Sequence, residues 1–306
     1  MTETNLIVMN GKLIAAEEAS ISAFDPGFLY GETLFTTLGV RNGSCRFLGR
    51  HLNRLMEMAS VLHPTSPFSP EQIREGVRSL LLALPAPPQL LRITLTPGHL
   101  DGFRLDSGGS GPPSWMIVPI FRKGPDPIAE QSGVPTEISP VPALSSRDPR
   151  SRFKTGNLFL SRWLRRNKPP SRFELLMKNT RGYLLEGTVS NLFFVLKDET
   201  VLTPPEQWGV LPGVIRSVLI DLLRARGIPL QWGSLTPRTL NRAKGAFLTN
   251  SFIEMLPIRT IYPETASNPS PGANITEPLW RSEDNMSFFS LLKTGLQDQA
   301  DEEREE

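Results

Sequence analysis

The sequence predicts a mixed α/β fold of the α+β type, with a smaller α/β domain first and a larger, β-rich domain after it. Hairpin signals and amphipathic helices alternate through residues 6–120. A proline-bearing stretch with few apolar clusters then separates them from a second run of strands. At 306 residues the chain also exceeds what one compact core usually carries. The domains are expected at residues 1–122 and 129–295, joined by a linker at 123–128, with 296–306 as a solvated acidic tail.

Residues 6–9 and 12–15 flank Asn10-Gly11, a preferred two-residue hairpin turn. Residues 32–40, rich in Thr, Phe and Leu, turn at Asn42-Gly43 and return over 44–48. Between the hairpins, Phe24-Asp25-Pro26-Gly27-Phe28 reads as a turn. Leu52, Leu55, Met56 and Leu62 fall on one helical face, which predicts a helix from Arg50. Ser69-Pro70-Glu71-Gln72 sets an N-cap hydroxyl, a first-turn proline and a capping-box glutamine ahead of Ile73, Val77 and Leu81, so a second helix starts there. Residues 90–95 and 115–120 read as strands, and the glycine- and serine-rich 106–114 as a mobile connection. Further strands are predicted at 136–141, 173–177, 182–186, 191–196, 200–203, 245–248 and 255–261. Helices are predicted at 156–166, from Gly213 through Leu222, and after Thr236-Pro237.

An apolar fraction of 39%, a charged fraction of 21% and a formal charge of +2 are ordinary for a globular enzyme and point to neither a nucleic-acid nor a membrane partner. No apolar run is long enough to span a bilayer, and Met1-Thr2-Glu3-Thr4-Asn5 lacks the basic start of a secretory signal, so a cytoplasmic protein is expected. The single cysteine, Cys45, excludes an internal disulfide framework and reads as a small hydrophobe in a strand. With three histidines besides, no metal site is expected.

Three segments carry candidate chemistry. Lys154, in Arg152-Phe153-Lys154-Thr155-Gly156-Asn157-Leu158, follows Arg150 and Arg152 and adjoins an aromatic ring. Such company helps an amine to be neutral and so to act as nucleophile and proton carrier. Taken alone, Lys154 reads as a solvated lysine at a helix start, and only the segments that follow give it a chemical role. Glu186 ends the apolar run Tyr183-Leu184-Leu185, where a carboxylate requires a cationic partner or reaches solvent. Leu211-Pro212-Gly213-Val214-Ile215-Arg216 puts a glycine ahead of an amphipathic helix and leaves the Val214 and Ile215 N–H groups for an anion. Arg54 is either a bidentate phosphate ligand or an exposed helix residue, with His51 a satisfied histidine beside it. Thr249-Asn250-Ser251 adds hydroxyl and amide groups at a strand end. An amine, a carboxylate and an anion cradle are what a protein needs to hold pyridoxal phosphate and a small-molecule substrate.

In this order the segments resemble the class IV, or fold-type IV, pyridoxal-phosphate enzymes: branched-chain aminotransferases, D-amino acid aminotransferases and aminodeoxychorismate lyases. Asp25-Pro26-Gly27-Phe28-Leu29-Tyr30-Gly31-Glu32 is similar to that family's N-terminal motif, and residues 47–55 to its phosphate-arginine helix. The resemblance covers nearly the whole chain. It implies pyridoxal 5'-phosphate held between the smaller and larger domains, in a homodimer. It implies Lys154 as the Schiff-base lysine and proton shuttle, and Glu186 as partner of the pyridine nitrogen. Arg54, the Val214 and Ile215 N–H groups and the Ser251 hydroxyl would bind phosphate, and Ser190 and Asn191 would line the cofactor ring. Phe35-Thr36-Thr37 and Thr249-Asn250-Ser251-Phe252 resemble the lyases, which turn 4-amino-4-deoxychorismate into pyruvate and 4-aminobenzoate, a folate precursor. Tyr30, Phe35, Thr37, Arg92, Arg104 and Asn250 are the implied substrate contacts. Arg92 or Arg104 would take the substrate carboxylate, because Pro97 stands where many relatives carry an arginine. Leu158 and Leu211-Pro212-Gly213 are closer to D-amino acid and branched-chain aminotransferases, which is the alternative.

Overall fold

The structure is a computed structural model that describes residues 6–63, 68–100, 112–124, 126–264, 277–283 and 286–303. Arg104, residues 106–111 of the glycine-rich connection and residues 304–306 of the acidic tail lie outside the described residues. The chain divides into two compact units. One comprises Met1–Gly124, Phe153–Leu158 and Glu303–Glu306, and the other Pro125–Arg152 and Phe159–Glu302. Lys154 therefore belongs to the first unit and not to the 129–295 domain expected to contain it, because its segment pairs with the first unit's sheet.

In that first unit β1 (Leu6–Met9) and β2 (Lys12–Ala15) form the hairpin. Pro26–Tyr30, expected as a turn, is a short helix, α1. Asp25 caps it by accepting from the Gly27 N–H at 2.7 Å, Pro26 fills its first turn, and Gly31 ends it at φ 73°. β3 (Leu34–Arg41), β4 (Ser44–Cys45), α2 (Leu48–Leu62), α3 (Pro70–Ala83), β5 (Leu90–Thr96) and β6 (Ser114–Ile120) follow. The strands form one antiparallel sheet in the order β2-β1-β6-β5-β3-β4. Leu34, Leu38, Leu91 and Ile93 of this sheet join Leu52, Leu55, Ile73 and Leu80 of α2 and α3 in its core. Cys45 is buried among them, and burial pushes its thiol up to about 12, so it packs as a hydrophobe.

The second unit contains α4 (Pro127–Ser132), β7 (Val134–Ile138), α5 (Phe159–Asn167), β8 (Glu174–Lys178), β9 (Leu184–Gly187), β10 (Asn191–Leu196) and β11 (Val201–Thr203). After these come α6 (Val214–Ala225), β12 (Leu230–Trp232), β13 (Ala243–Asn250), β14 (Glu254–Tyr262), β15 (Trp280–Arg281) and α7 (Met286–Glu302). Part of the expected linker is already helical: Asp126 caps α4, accepting from the Ile128 N–H at 2.9 Å. The strand order is β12-β11-β10-β13-β14-β7-β8-β9, and β9 also pairs with β10 through Glu186 and Asn191. The strands from β10 round to β9 thus close into a barrel, and the closing pair carries two of the residues singled out above.

β10 is buried on both faces. Leu192 and Phe194 join a core with Leu248, Leu256 and Ile258. On the opposite face Phe193 stacks on Phe247 at 4.9 Å, and Phe247 meets Phe289 of α7 edge-on at 6.5 Å. Residues 296–302, expected in a solvated tail, are instead the last turns of α7. Phe289, Leu292, Leu296 and Ala300 recur at helical spacing and are buried, while Asp298, Asp301 and Glu302 are exposed. The helix expected after Thr236-Pro237 is a 3₁₀ helix, Pro237–Arg242. Among the described residues no helix is long and apolar enough to cross a membrane.

Candidate active site

The outer edge of β3 is completed by β4 at one end and by the Lys154 segment at the other. The Phe35 N–H donates to the Lys154 carbonyl at 2.9 Å, the Gly156 N–H donates to the Thr33 carbonyl at 3.0 Å, and Leu34 bridges to Thr155. Lys154 was expected at a helix start. Its segment is strand-like instead, and α5 begins only at Phe159. Gly156 is needed for this approach, since a Cβ there would lie 2.1 Å from Thr33 Oγ1. Phe153 packs against the unit's core, and the Lys154 N–H points at Met58 Sδ, 3.2 Å away.

This pairing sets Lys154 Nζ 4.7 Å from the centre of the Phe35 ring, and the Arg92 guanidinium lies over the same ring at 3.6 Å. Thr37 stands opposite Arg92 in the β3–β5 register, so its side chain shares that sheet face. Arg92 Nε also donates to Thr94 Oγ1 at 3.3 Å, and burial holds Arg92 below the ordinary arginine range. The structure thus gathers Lys154, Phe35, Thr37 and Arg92. Arg150, expected as a cationic neighbour of Lys154, pairs with Asp148 at 2.6 Å. Tyr30 ends α1 and is 40% exposed.

Thr36 points to the opposite face, toward α2, as the two-residue period of a strand requires. Its hydroxyl accepts from Arg54 Nη2 at 2.9 Å and lies 2.6 Å from His51 Nδ1. Burial brings Arg54 down to about 10, which leaves it charged at neutral pH. His51 is held well below 6.5 by burial first and then by the charges of Arg54 and Lys154, so it is neutral there. Arg54 is therefore an oriented, half-buried residue whose guanidinium is enclosed, and not an exposed helix residue. The support from Thr36 was not anticipated, although a hydroxyl one residue from Thr37 was its only available sign.

In the second unit Glu186 and Asn191 face each other at the barrel closure. Glu186 Oε2 accepts from the Leu211 N–H at 3.2 Å and from Asn191 Nδ2 at 3.3 Å, and Asn191 Nδ2 also donates to the Leu211 carbonyl at 2.9 Å. Asn191, expected to line a ring, directs its amide to the Glu186 carboxylate and to the turn at Leu211. Gly213 precedes α6, whose start has no side-chain cap among the described residues, with Val214 and Ile215 buried in its first turn. Arg216, also buried, anchors that turn by donating to Glu206 Oε1 and to the Pro204 carbonyl, each at 2.8 Å. Burial lowers Arg216 from its usual value, opposed by Glu206 and then by Glu186.

Thr249 lies directly opposite Asn191 and so on the same face, and its fully buried hydroxyl has no partner among the described residues. Ser251 follows it two residues later, half-buried. Two other expected site residues make protein contacts. The Ser190 hydroxyl donates to Glu174 Oε2 at 3.3 Å, in a buried network with Thr188 and Arg165, because neighbouring residues of an extended chain point to opposite sides. The Asn250 side chain builds the β13–β14 turn: Oδ1 accepts from the Phe252 and Ile253 N–H groups at 2.8 and 3.0 Å, and Nδ2 donates to the Val189 carbonyl at 3.2 Å.

Residues 33–261 match the family described as Amino-transferase class IV. The aminodeoxychorismate lyase of Bacillus subtilis is 27% identical over 258 residues, which cover 84% of this chain and 86% of the relative. The D-alanine aminotransferase of Bacillus licheniformis is 24% identical over 267 residues, covering 87% and 92%. The crystal structure of 4-amino-4-deoxychorismate lyase from Pseudomonas aeruginosa aligns with a TM-score of 0.74 and 25% identity, over 96% of this chain and 97% of that one. The residues present fit pyridoxal phosphate. In the second unit an uncapped α6 start and an orphaned buried hydroxyl on the face of Asn191 suit a phosphate, and a carboxylate fed by two donors suits a protonated pyridine nitrogen; in the first unit Lys154 offers an amine.

Proposed function

The chain belongs to the class IV aminotransferase family, and we propose that within it the protein is a pyridoxal-phosphate-dependent aminodeoxychorismate lyase, converting 4-amino-4-deoxychorismate to pyruvate and 4-aminobenzoate. The observation that carries this reading is the cluster on Phe35. A guanidinium fixed over an aromatic ring beside an amine suits a flat substrate that brings carboxylates to the reacting nitrogen.

The cofactor supplies an electron sink when bound. Lys154 would hold it through Nζ and, once the substrate's amine has taken that place, the freed Nζ would take the proton from the ring carbon that bears the substrate amine. The C–O bond to the enolpyruvyl group then breaks, the electron pair leaves with oxygen and the ring becomes aromatic; the released enolpyruvate takes up at its methylene carbon one proton, balancing the one Lys154 removed, and so becomes pyruvate. Arg92 holds a substrate carboxylate, and Thr37 stands beside it. Arg54, the Val214 and Ile215 N–H groups and the Ser251 hydroxyl hold the phosphate, and we add Thr249 to them. Glu186 pairs with the ring nitrogen. The product is a folate precursor, and the working form is a cytoplasmic homodimer.

Purified, cofactor-loaded protein given aminodeoxychorismate and no keto acid should release pyruvate. A yellow, loaded protein that releases none refutes the lyase reading. Likeness to a D-alanine aminotransferase favours a second reading, transamination of amino acids. Under it, a donor amino acid added alone shifts the bound cofactor's absorbance from the aldehyde to the amine form, and a spectrum unmoved by a panel of donors removes it.

A further inference from the structure

Glu186 lies on β9 and Leu211 and Gly213 in the turn before α6, and one primary amide, that of Asn191 on β10, meets all three. Asn191 Nδ2 has two hydrogens. They go to the Leu211 carbonyl at 2.9 Å and to Glu186 Oε2 at 3.3 Å, while the Leu211 N–H returns to the same Oε2 at 3.2 Å. Leu211, Asn191 and Glu186 therefore form a closed hydrogen-bonded ring. The amide orientation is unambiguous, since the flipped form would set its oxygen against a carboxylate and a carbonyl. On its other side Asn191 Oδ1 lies 2.0 Å from where a Cβ on Gly213 would stand, so it is wedged against the residue that starts α6.

We propose that Asn191 is a positioning residue that locks the Glu186 carboxylate and the start of α6 into one unit, so that the grip on the cofactor's phosphate and the contact to its ring nitrogen change together. This rests on the reading of Glu186 and α6 as cofactor ligands. It also gives Gly213 a reason beyond backbone freedom: its φ of −71° is open to any residue, and only the Asn191 oxygen excludes a side chain.

The test is a double-mutant cycle on apoenzyme, read as the Kd for pyridoxal phosphate from tryptophan fluorescence and as the pH midpoint of the bound cofactor's visible band. Asn191→Ala and Gly213→Ala should each weaken binding by about ten- to a hundredfold, the value of hydrogen bonds to a charged group, and each should move the pH midpoint in the same direction. In the Asn191→Ala background, Gly213→Ala should cost less than about threefold, because the oxygen it strikes is gone. Asn191→Ser is the second variant should the alanine protein not fold, and it should give the same pattern. Losses that multiply in the double variant, or an Asn191 variant that leaves Kd and band unchanged, overturn the inference while wild-type binding stays intact. Wild type that binds no pyridoxal phosphate overturns the cofactor reading as well.

Discussion

Around Phe35 the polar groups are side chains laid on hydrophobic supports, whereas around Glu186 most of them belong to the backbone. Lys154 and Arg92 share one aromatic ring, and the Arg54 guanidinium lies enclosed with a threonine hydroxyl. Each such cation bears a desolvation cost whether or not an anion is present. At the barrel closure a single carboxylate accepts from the Leu211 N–H and the Asn191 amide, and the Val214 and Ile215 N–H groups lie in the first turn of α6, where a helix start leaves them open at no such cost. The first arrangement should trade stability for binding one residue at a time. The second should fail as a whole when its turn shifts.

The largest expected effect is at Lys154. Lys154→Ala should lower turnover by about 10³-fold or more, while the apoenzyme melts near the wild-type temperature because the Phe35 N–H bonds to the backbone at 154 and not to its side chain. A variant that keeps its turnover would break the comparison at its root. Next comes Arg54→Leu, which should weaken pyridoxal phosphate binding by about a hundredfold yet leave the apoenzyme at least as stable, since a buried guanidinium is removed. A fall in both binding and melting temperature would show that Arg54 supports the fold as well as the ligand.

The smallest effect concerns His51. The folded protein holds this imidazole neutral, with its pKa well below the ordinary 6.5. As pH falls below 6.5 the unfolded chain takes up a proton that the folded one refuses, so His51 favours unfolding on the acid side and has no such effect above that range. Subtracting the melting curves of His51→Gln apoenzyme from those of wild type should expose a wild-type loss of up to about 1.4 kcal/mol per pH unit below 6.5. Parallel curves from pH 7 down to pH 5 would show that the imidazole accepts its proton in place.

Much of the polar set could be read from the chain before any coordinates. Asn10-Gly11, the Ser69-Pro70 cap and the apolar run into Glu186 carry local signals of turn, helix start and strand. Lys154 was legible as an amine of interest but not as an edge-strand residue, because what orders 153–156 is pairing with β3, far away in sequence. The hydrogen-bond partners of Ser190, Asn191 and Asn250 were not legible for a related reason. Their motifs mark a place in the chain, and only the register decides which neighbour meets each hydroxyl or amide. The α7 helix was hidden by its own acidic face, which reads as a tail until Leu292, Leu296 and Ala300 are seen packed.

From its residues alone, this chain specified an α+β enzyme with a lysine, a glutamate and a glycine-led helix start, because turn chemistry, apolar periodicity and the spacing of polar groups act over a few residues. Which unit holds Lys154, which side of β3 serves Arg54, and which amide clamps Glu186 depended on contacts between distant segments. Those follow from sheet register and barrel closure, where displacement by one residue turns every side chain to the other face.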